Sequence, residues 1–430
     1  MKICVFGLWH LGSVTAACLA KIGHQVIGLD FHLEIINDFL KGRSPVFEPG
    51  LDELILDGIQ NGTLDFTNDV KKALQDADAL WVTFDTPVND QDEADTSFVI
   101  QNFEKISKNV ENNTLIIFSS QIPVGCTRRI YQNFKKESPN KSCFFSYSPE
   151  NLRLGNAINV FLNPDRIVIG TLPEEREKFL SLFKTISERL EWMSFESSEM
   201  TKHAINAFLA TSVAFANEIA TICEKVGAQA KEVERGLKTE ERIGNKAYLS
   251  PGSAFSGGTL GRDVRFLQKI GDDVNLPSYL LHGVTESNDY HKTWIQRKCL
   301  ELFGDLSGKR IHVLGLTYKP GTNTLRRSLS VELCKWLDEQ GSDVTAFDPV
   351  ITEIPMELSR IFDLSTDIYD TIGSSDCIIV GTEWPQFKEL NLEKIQDLDK
   401  KVIIDPTGFL EKFFIELQTM RYYSVGRTYK

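Results

Sequence analysis

The residues whose types and spacing could support chemistry are concentrated between Arg242 and Asp263, in the run RIGNKAYLSPGSAFSGGTLGRD. This run has no sustained apolar period and follows a long helical pattern. Four of its glycines, Gly252, Gly257, Gly258 and Gly261, let the backbone turn with positive φ or approach a ligand closely. Two arginines supply fixed positive charge and Asp263 supplies a carboxylate, so the run could hold an anionic substrate beside a proton-transfer group. The alternative is an ordinary connection between two helices.

The preceding helical pattern contributes a lysine and an amide. It runs from Ser197 to about Val226, where Gly227 is a natural stop. Lys202 and Asn206 are four residues apart and therefore share one face. The alternative for Lys202 is a solvated lysine near a helix start. A helix this long exceeds the usual globular length, which indicates that it bridges domains or lines an oligomer interface.

The N-terminus has the βαβ plan of a dinucleotide site. Residues 2–7 read as a buried strand ended by Gly7, an apolar helical pattern follows, and a second strand ends on Asp30. This plan places a phosphate on the helix N-terminus and the acid on ribose hydroxyls, and a carboxylate disfavours the 2′-phosphate of NADP. The G-x-G-x-x-G fingerprint carries Trp9 at its middle glycine, so that side chain must turn away or shift the ligand. The predicted NAD-binding residues here are Gly7, Trp9, His10, Leu11, Gly12 and Asp30.

Further strand-like runs at 79–84, 114–119, 143–147 and 166–170 alternate with helical patterns. This alternation predicts a doubly wound parallel sheet, which binds ligands where the strands end and loops begin. The loops at 85–87, 120–123 and 148–150 each carry a proline, which could alternatively just terminate the strand. They add Thr86, Pro87 and Gln121 as candidate cofactor contacts.

A second, smaller α/β unit begins at Lys309, with strand patterns at 309–315, 343–349, 377–384 and 401–406. Its loop 317–328 carries Lys319, Arg326 and Arg327 beside a Gly- and Thr-rich turn, which could cradle a phosphate. Arg326 is a further candidate cofactor contact. The predicted fold is α/β: two Rossmann-like doubly wound parallel-sheet domains (1–196 and 301–430) joined by the long central helix and a helical middle domain (197–300).

Composition bounds the class of protein. With 430 residues, 42% hydrophobic and 25% charged, the chain reads as a soluble protein of two or three domains. It shows no apolar run long enough to span a bilayer and no signal peptide, which favours the cytoplasm. The eight scattered cysteines include no CxxC pair and argue against a disulfide framework or a metal site. A net charge of −13 makes nucleic acid or an anionic membrane an improbable partner.

Ordered motifs along nearly the whole chain resemble the UDP-glucose/GDP-mannose dehydrogenase family. They are SPVFEPGLDEL (44–54), SPENLRLG (148–155), PDRIVIG (164–170), RIGN (242–245), PGSAF–GRD (251–263), GLTYKP (315–320), FDP (347–349) and TEWPQF (382–387). The resemblance implies a cytosolic NAD-dependent oxidoreductase of polysaccharide biosynthesis, with NAD on the N-terminal domain and a nucleotide sugar on the C-terminal one. It also implies a homodimer through the long helix, in which Arg242 reaches the neighbour's substrate site.

The family typically oxidises a sugar C6 alcohol to a carboxylate in two hydride transfers, the second through a thiohemiacetal on a cysteine in F-G-G-x-C-x-x-K-D. The same nine positions here read FSGGTLGRD, which places Thr259 at the cysteine. A threonine hydroxyl is a far weaker nucleophile than a thiol unless a base activates it. Gln121 stands at the family's active-site threonine and Leu154 at its second glutamate. Thr407 stands where the family's D-G-R-N has its arginine, which leaves the identity of the sugar or nucleotide open.

The resemblance implies that the parts suited to alcohol oxidation remain. Lys202 could stabilise a developing alkoxide, and Asp263 could hold a water or the lysine in place. The expected catalytic residues are Lys202, Asn206, Asp263, Glu150 and Thr259, and the expected substrate contacts are Glu150, Asn151, Leu152, Lys202, Asn206, Arg242, Tyr248, Phe255, Gly257 and Lys319.

Three functions are compatible with these residues. The first hypothesis is a single two-electron oxidation of a nucleotide-activated sugar alcohol to a carbonyl. The second is four-electron oxidation without a covalent thioester, in which the aldehyde reacts as its hydrate. The third is a catalytically degenerate binding or regulatory protein, against which the retained Lys202, Asn206 and Asp263 argue.

Overall fold

The computed structural model describes residues 1–87, 96–150, 152–256, 259–394, 401–415 and 421–427. The chain divides into two compact units, residues 1–204 and 205–430. The finer division into three domains at residues 196 and 300 stays a prediction.

The first unit is built on an eight-stranded sheet in the order β3-β2-β1-β4-β5-β6-β7-β8. Neighbouring strands are parallel except β6 and β7, which pair antiparallel. The doubly wound sheet is therefore confirmed, with one antiparallel ladder that the sequence did not indicate. The strands are β1 (Lys2–Phe6), β2 (Gln25–Leu29), β3 (Leu64–Thr67), β4 (Ala79–Val82), β5 (Leu115–Phe118), β6 (Phe144–Tyr147), β7 (Ile167–Thr171) and β8 (Leu190–Met193).

The burial of strand β1 explains why the strands of this sheet appear in the sequence as continuous apolar runs. Ile3 and Val5 join the core on one face, while Cys4 and Phe6 join the core on the other. A parallel sheet covered by helices on both faces buries every residue of its central strands, which removes the alternation expected of a half-exposed strand. The helices of this unit are α1 (His10–Ile22), α2 (Leu33–Phe39), α3 (Leu51–Gln60), α4 (Val70–Leu74), α5 (Thr96–Ser107), α6 (Cys126–Glu137), α7 (Ala157–Leu162) and α8 (Arg176–Phe183).

Helix α9 (Phe195–Val226) has 32 residues and runs from the first unit into the second. By length and composition alone it could cross a bilayer, because an 18-residue window reaches a mean hydropathy of 1.3. In this structure, 44% of that window is buried inside the protein. Its buried residues include Lys202, Asn206 and Asn217, which would be costly in lipid.

The second unit contains a six-stranded, all-parallel sheet in the order β11-β10-β9-β12-β13-β14. This order repeats that of the first six strands of the other sheet, so the prediction of two Rossmann-like sheets is confirmed. The strands are β9 (Arg310–Leu314), β10 (Asp343–Phe347), β11 (Asp363–Leu364), β12 (Cys377–Val380), β13 (Val402–Ile404) and β14 (Arg421–Tyr423). The helices are α10 (Ala230–Thr239), α11 (Thr259–Asp273), α12 (Tyr279–Lys292), α13 (Trp294–Phe303), α14 (Leu329–Glu339), α15 (Ile368–Ile372) and α16 (Glu411–Ile415).

Candidate active site

The turn after β1 has the geometry of a dinucleotide-binding turn. Gly7 has a φ of 98°, which favours glycine, and its carbonyl accepts a hydrogen bond from the Thr83 hydroxyl at 2.9 Å. A Cβ on Gly12 would lie 1.8 Å from the Gly7 carbonyl oxygen, so only glycine lets helix α1 start this close to the strand. These two glycines of the fingerprint therefore have steric roles in the turn.

Trp9 occupies the third position of the fingerprint, where the motif has a glycine. Its backbone conformation does not require glycine. Its φ of −91° and ψ of −152° are extended, and the residue is 49% exposed. Trp9 is also the N-cap of helix α1, and it supplies no capping side-chain hydrogen bond. The helix N-terminus therefore keeps the character of an anion site, with a large aromatic ring beside it.

Asp30 lies at the end of β2, as the dinucleotide plan requires. Its Oδ2 accepts the Leu8 N–H at 3.0 Å, and its Oδ1 accepts both the backbone N–H and the ring Nδ1–H of His32, at 3.0 and 2.8 Å. A carboxylate has about four acceptor sites, so a further donor such as a ribose hydroxyl can be accommodated. The residues present therefore fit a dinucleotide.

The loops after β4 and β5 are joined by a hydrogen bond. The Thr86 hydroxyl donates to the Gln121 carbonyl at 2.6 Å. Thr86 is buried and Pro87 is exposed. Two of the three predicted cofactor contacts thus lie together at the carboxyl edge of the sheet, where the parallel-sheet rule expects a ligand.

Lys202 and Glu150 are brought together within the first unit. The Lys202 ammonium donates to the Glu150 carbonyl oxygen at 2.6 Å and to Oε1 of its side chain at 3.3 Å. Glu150 Oε2 accepts the Leu152 N–H at 2.6 Å, so this carboxylate orders its own loop. Lys202 is 7% exposed. The predicted contact Asn151 lies outside the described residues.

Glu199, one turn before Lys202 on helix α9, was not predicted as a functional residue. Glu199 is fully buried, and its carboxylate accepts the backbone N–H of Gly125 at 2.6 Å and of Thr127 at 2.7 Å, at the start of helix α6. Burial raises the pKa of the Glu199 carboxyl above its usual range, although these hydrogen bonds oppose the rise. Helix α9 thereby anchors the loop that carries Gln121. A glutamate within an otherwise apolar helical pattern is the sequence feature that could have identified Glu199.

Within the second unit, Asn206 donates its side-chain amide to the Asp263 carboxylate. Asp263 is fully buried and Asn206 is 8% exposed. This contact links helix α9 to helix α11, which begins at Thr259. The sequence placed both residues in the expected catalytic set but gave no sign that they touch.

The loop that precedes α11 is clamped by side chains from two helices. The Gly252 N–H donates to the Asn217 Oδ1 at 2.8 Å, and the Gly252 carbonyl accepts from His291 Nε2 at 2.8 Å. Asn288 pairs with both backbone polar groups of Phe255, at 3.0 and 2.8 Å. Burial lowers the pKa of His291, which favours the neutral ring. Gly252 and Phe255 are thus held by three side chains that were not predicted from the sequence.

This loop forms one wall of a cavity of about 660 Å³ inside the second unit. Four sequence-predicted residues line the cavity: Tyr248, Phe255, Thr259 and Lys319. The lining also includes Arg327 of the predicted phosphate-binding loop, together with His291, Glu332 and Glu383, which were not predicted. Burial raises the pKa of the Glu383 carboxyl. The described lining does not include the predicted cofactor contact Arg326 or the predicted substrate contacts Glu150, Leu152, Lys202, Asn206 and Arg242. Gly257 lies outside the described part of the chain.

Another part of the cavity lining lies in the turn after β9. This turn has the same geometry as the turn after β1. Gly315 follows β9 with a φ of 90°, and Asp348 at the end of β10 accepts the N–H of Leu316 at 2.7 Å and of Thr317 at 3.0 Å. The Trp384 indole N–H also donates to Asp348, at 3.0 Å. Lys319 follows this turn, so its charge is presented at the carboxyl edge of the second sheet.

No cysteine lines this cavity among the described residues. All eight cysteines of the chain are buried and free. Burial raises the pKa of the Cys126 thiol to about 11 and of the Cys18 thiol to about 12, which suppresses the nucleophilic thiolate form. Thr259 is exposed and is the first described residue of helix α11.

Known proteins match this chain over nearly its whole length. Residues 1–187 match the NAD binding domain of the UDP-glucose/GDP-mannose dehydrogenase family, residues 196–290 its central domain, and residues 312–412 its UDP binding domain. The UDP-glucose 6-dehydrogenase of Rhizobium meliloti is 33% identical over 99% of this chain and 100% of its own length. UDP-glucose 6-dehydrogenase TuaD of Bacillus subtilis is 33% identical over 99% of this chain and 93% of its own length. The solved structure of a UDP-glucose dehydrogenase from Pyrobaculum islandicum superposes with a TM-score of 0.86 at 26% identity, covering 99% of this chain and 97% of that one.

These matches identify the cofactor as NAD and the chain as an NAD-dependent oxidoreductase acting on CH–OH donors. The sequence-based predictions of cofactor and enzyme class are confirmed, which disfavours the hypothesis of a binding or regulatory protein. The UDP binding domain also supports a nucleotide-sugar substrate. The roles assigned to individual residues stay predictions.

Proposed function

This chain belongs to the UDP-glucose/GDP-mannose dehydrogenase family, and we propose that it oxidises a nucleotide-activated sugar alcohol to a carbonyl by one two-electron step. The single observation that carries the proposal is the position of Thr259. It opens helix α11 at the cavity wall, and no described cavity residue is a cysteine. A second oxidation through a covalent thioester requires a thiolate that this wall does not offer.

The cavity in the second unit supports a UDP-sugar as the substrate. Its volume of about 660 Å³ falls in the range of small-molecule sites. Lys319 and Arg327 supply positive charge for a diphosphate, and the clamped backbone around Gly252 supplies a rigid surface. The relatives named above act on UDP-glucose by their names, so UDP-glucose is the first substrate to test.

We assign the alcohol-oxidation chemistry to residues on and around helix α9. The buried Lys202 ammonium, held by Glu150, would stabilise the oxygen of the alcohol as it loses its proton. Asn206 and Asp263 would orient a water molecule that receives this proton. When bound, NAD⁺ accepts the hydride, so one alcohol yields one carbonyl, one NADH and one proton.

Four-electron oxidation is the second candidate, and the position of Thr259 also gives it some support. Thr259 is the first residue of helix α11, where partial positive charge favours a developing oxyanion. In this case the aldehyde would be oxidised as its hydrate, without a covalent bond to the protein. The product would then be a uronic acid, and two NADH would form per sugar.

We further propose a homodimer through helix α9. Phe208, Phe215 and Ile222 recur every seven residues and are 70%, 46% and 52% exposed. Seven-residue spacing places them along one stripe, which is typical of a helix-packing seam. The Arg242 side chain is 87% exposed and pairs with nearby Glu240, so it could extend toward a neighbouring subunit.

The decisive experiment is product analysis with UDP-glucose and NAD⁺, followed by other UDP-sugars. The proposal expects a carbonyl product trapped by hydroxylamine and detected by mass spectrometry. A uronic acid from the unmodified protein would favour the second candidate. Absence of NADH formation with every nucleotide sugar would contradict both.

A further inference from the structure

Glu48 is a buried carboxylate in the connection between helices α2 and α3, and its side chain is 1% exposed. Oε1 accepts the Ala157 N–H at 2.7 Å, and Oε2 accepts the Gly155 N–H at 2.7 Å. Oε2 also lies 3.1 Å from Nε2 of His10. Removing a carboxylate from water is costly, so these three donors are needed to hold Glu48 in this position.

The two backbone donors belong to segment 152–157, which follows Glu150 in the chain. Residues before this segment are held by other contacts: the Ser148 carbonyl accepts the Ser119 hydroxyl at 2.6 Å, and Lys202 donates to the Glu150 carbonyl at 2.6 Å. Glu48 fixes the far end of segment 152–157 through Gly155 and Ala157.

The third donor belongs to the cofactor turn. His10 is the first residue of helix α1, whose N-terminus is the anion site of the NAD binding domain. A carboxylate only accepts hydrogen bonds, so Nε2 of His10 carries the hydrogen and the ring is tied to Glu48. The His10 side chain is 17% exposed, so it lies between the protein interior and the surface where a cofactor phosphate would bind.

We propose that His10 and Glu48 are positioning residues that couple NAD binding to the order of segment 152–157. A phosphate bound at the start of α1 fixes His10, His10 fixes Glu48, and Glu48 holds the two amides at the end of the segment. The consequence for catalysis rests on the proposed role of Glu150. Coupling of this kind is reciprocal, so a substrate held by the segment tightens NAD binding by the same factor.

Hydrogen exchange of the full-length protein tests this link without any sugar substrate. Exchange is measured in peptides covering residues 152–160, with and without saturating NADH, and NADH affinity is measured by fluorescence. His10→Phe keeps a ring but removes the donor, whereas His10→Gln keeps an N–H donor. His24→Gln is the matched control, because His24 follows the other end of α1 and its Nε2 contacts the Thr185 hydroxyl at 2.9 Å.

NADH should slow exchange in this segment by about fivefold or more in the unmodified protein, His10→Gln and His24→Gln. His10→Phe should lose this slowing when NADH is added at a concentration that saturates the variant. Glu48→Gln, a second variant that does not alter the cofactor turn, should also lose it. Equal slowing in His10→Phe or Glu48→Gln, or no slowing in the unmodified protein, would overturn the proposal. Failure of the proposed reaction appears instead in turnover and leaves this readout unaffected.

Discussion

Asn206 on helix α9 donates its amide to the carboxylate of Asp263, which is fully buried on helix α11. The contact fixes the orientation of a carboxylate four residues after Thr259, one turn into the helix that opens at the cavity wall. A buried carboxylate is costly unless it is paired or hydrogen-bonded, and Asn206 supplies one such hydrogen bond. We assign Asp263 a role in proton transfer during alcohol oxidation.

Asp263→Asn should therefore lower kcat strongly and lower the stability of the fold much less. Loss of the charge removes a proton-transfer group that contributes about 10²-fold or more to kcat, whereas the isosteric amide keeps the helix contact. Steady-state kinetics and thermal unfolding measure the two effects. Asp273→Asn is the control, because that residue ends the same helix and its side chain is 61% exposed. Equal kcat for the two variants would contradict the assigned role.

The lysine and the threonine should differ sharply in what they contribute. Lys202→Ala should cost about 3–4 kcal/mol in transition-state stabilisation, by analogy with oxyanion-hole donors. Thr259→Ala should cost at most one hydrogen bond, about 0.5–1.5 kcal/mol. The measurement is kcat/KM for each variant, with Lys225→Ala at the exposed end of helix α9 as the lysine control.

The companion variant Thr259→Cys should not create an acid-forming enzyme. The motif resemblance predicts that Gln121 and Leu154 replace residues that support thioester hydrolysis in the family, so at best a covalent adduct would accumulate and appear by mass spectrometry. A Thr259→Ala protein as impaired as Lys202→Ala would show instead that the hydroxyl takes part in the chemistry.

Asp30 should make the protein select NAD over NADP. The carboxylate lies at the end of β2, held by Leu8 and His32, where it repels a 2′-phosphate. Calorimetric titration should give tighter binding for NAD, and Asp30→Asn should narrow the difference because the repulsion is lost. Tighter binding of NADP by the unmodified protein would refute this role for Asp30.

The parts of the molecule that follow local rules could be predicted from sequence. The βαβ turn at Gly7, the acid at Asp30 and the apolar runs of central strands depend on short-range geometry, and the structure contains them as expected. Edge strands such as β3 and β11 were missed because they are short and only partly apolar. Clamps such as Asn288 on Phe255 were missed because they join residues 33 positions apart, a separation that no local pattern encodes.

The exposed stripe on helix α9 predicts that one charged substitution will dissociate the protein. Phe215→Asp should convert a dimer to a monomer, because a buried unpaired carboxylate is costly at an apolar interface. Light scattering at micromolar concentration measures the mass. Leu33→Asp is the control, an exposed leucine in the first unit that lies 56% open to solvent. A monomeric mass for the unmodified protein would contradict the proposed dimer. Normal substrate affinity in Arg242→Ala would contradict the proposed role of Arg242 in the neighbouring subunit's site.

The most direct test of the central claim is the number of NADH molecules formed per nucleotide sugar consumed. It is measured with limiting substrate, by absorbance for NADH and chromatography for the sugar. The position of Thr259 at the cavity wall, with all eight cysteines buried, predicts one NADH and a carbonyl that hydroxylamine traps. Two NADH and a uronic acid would contradict it.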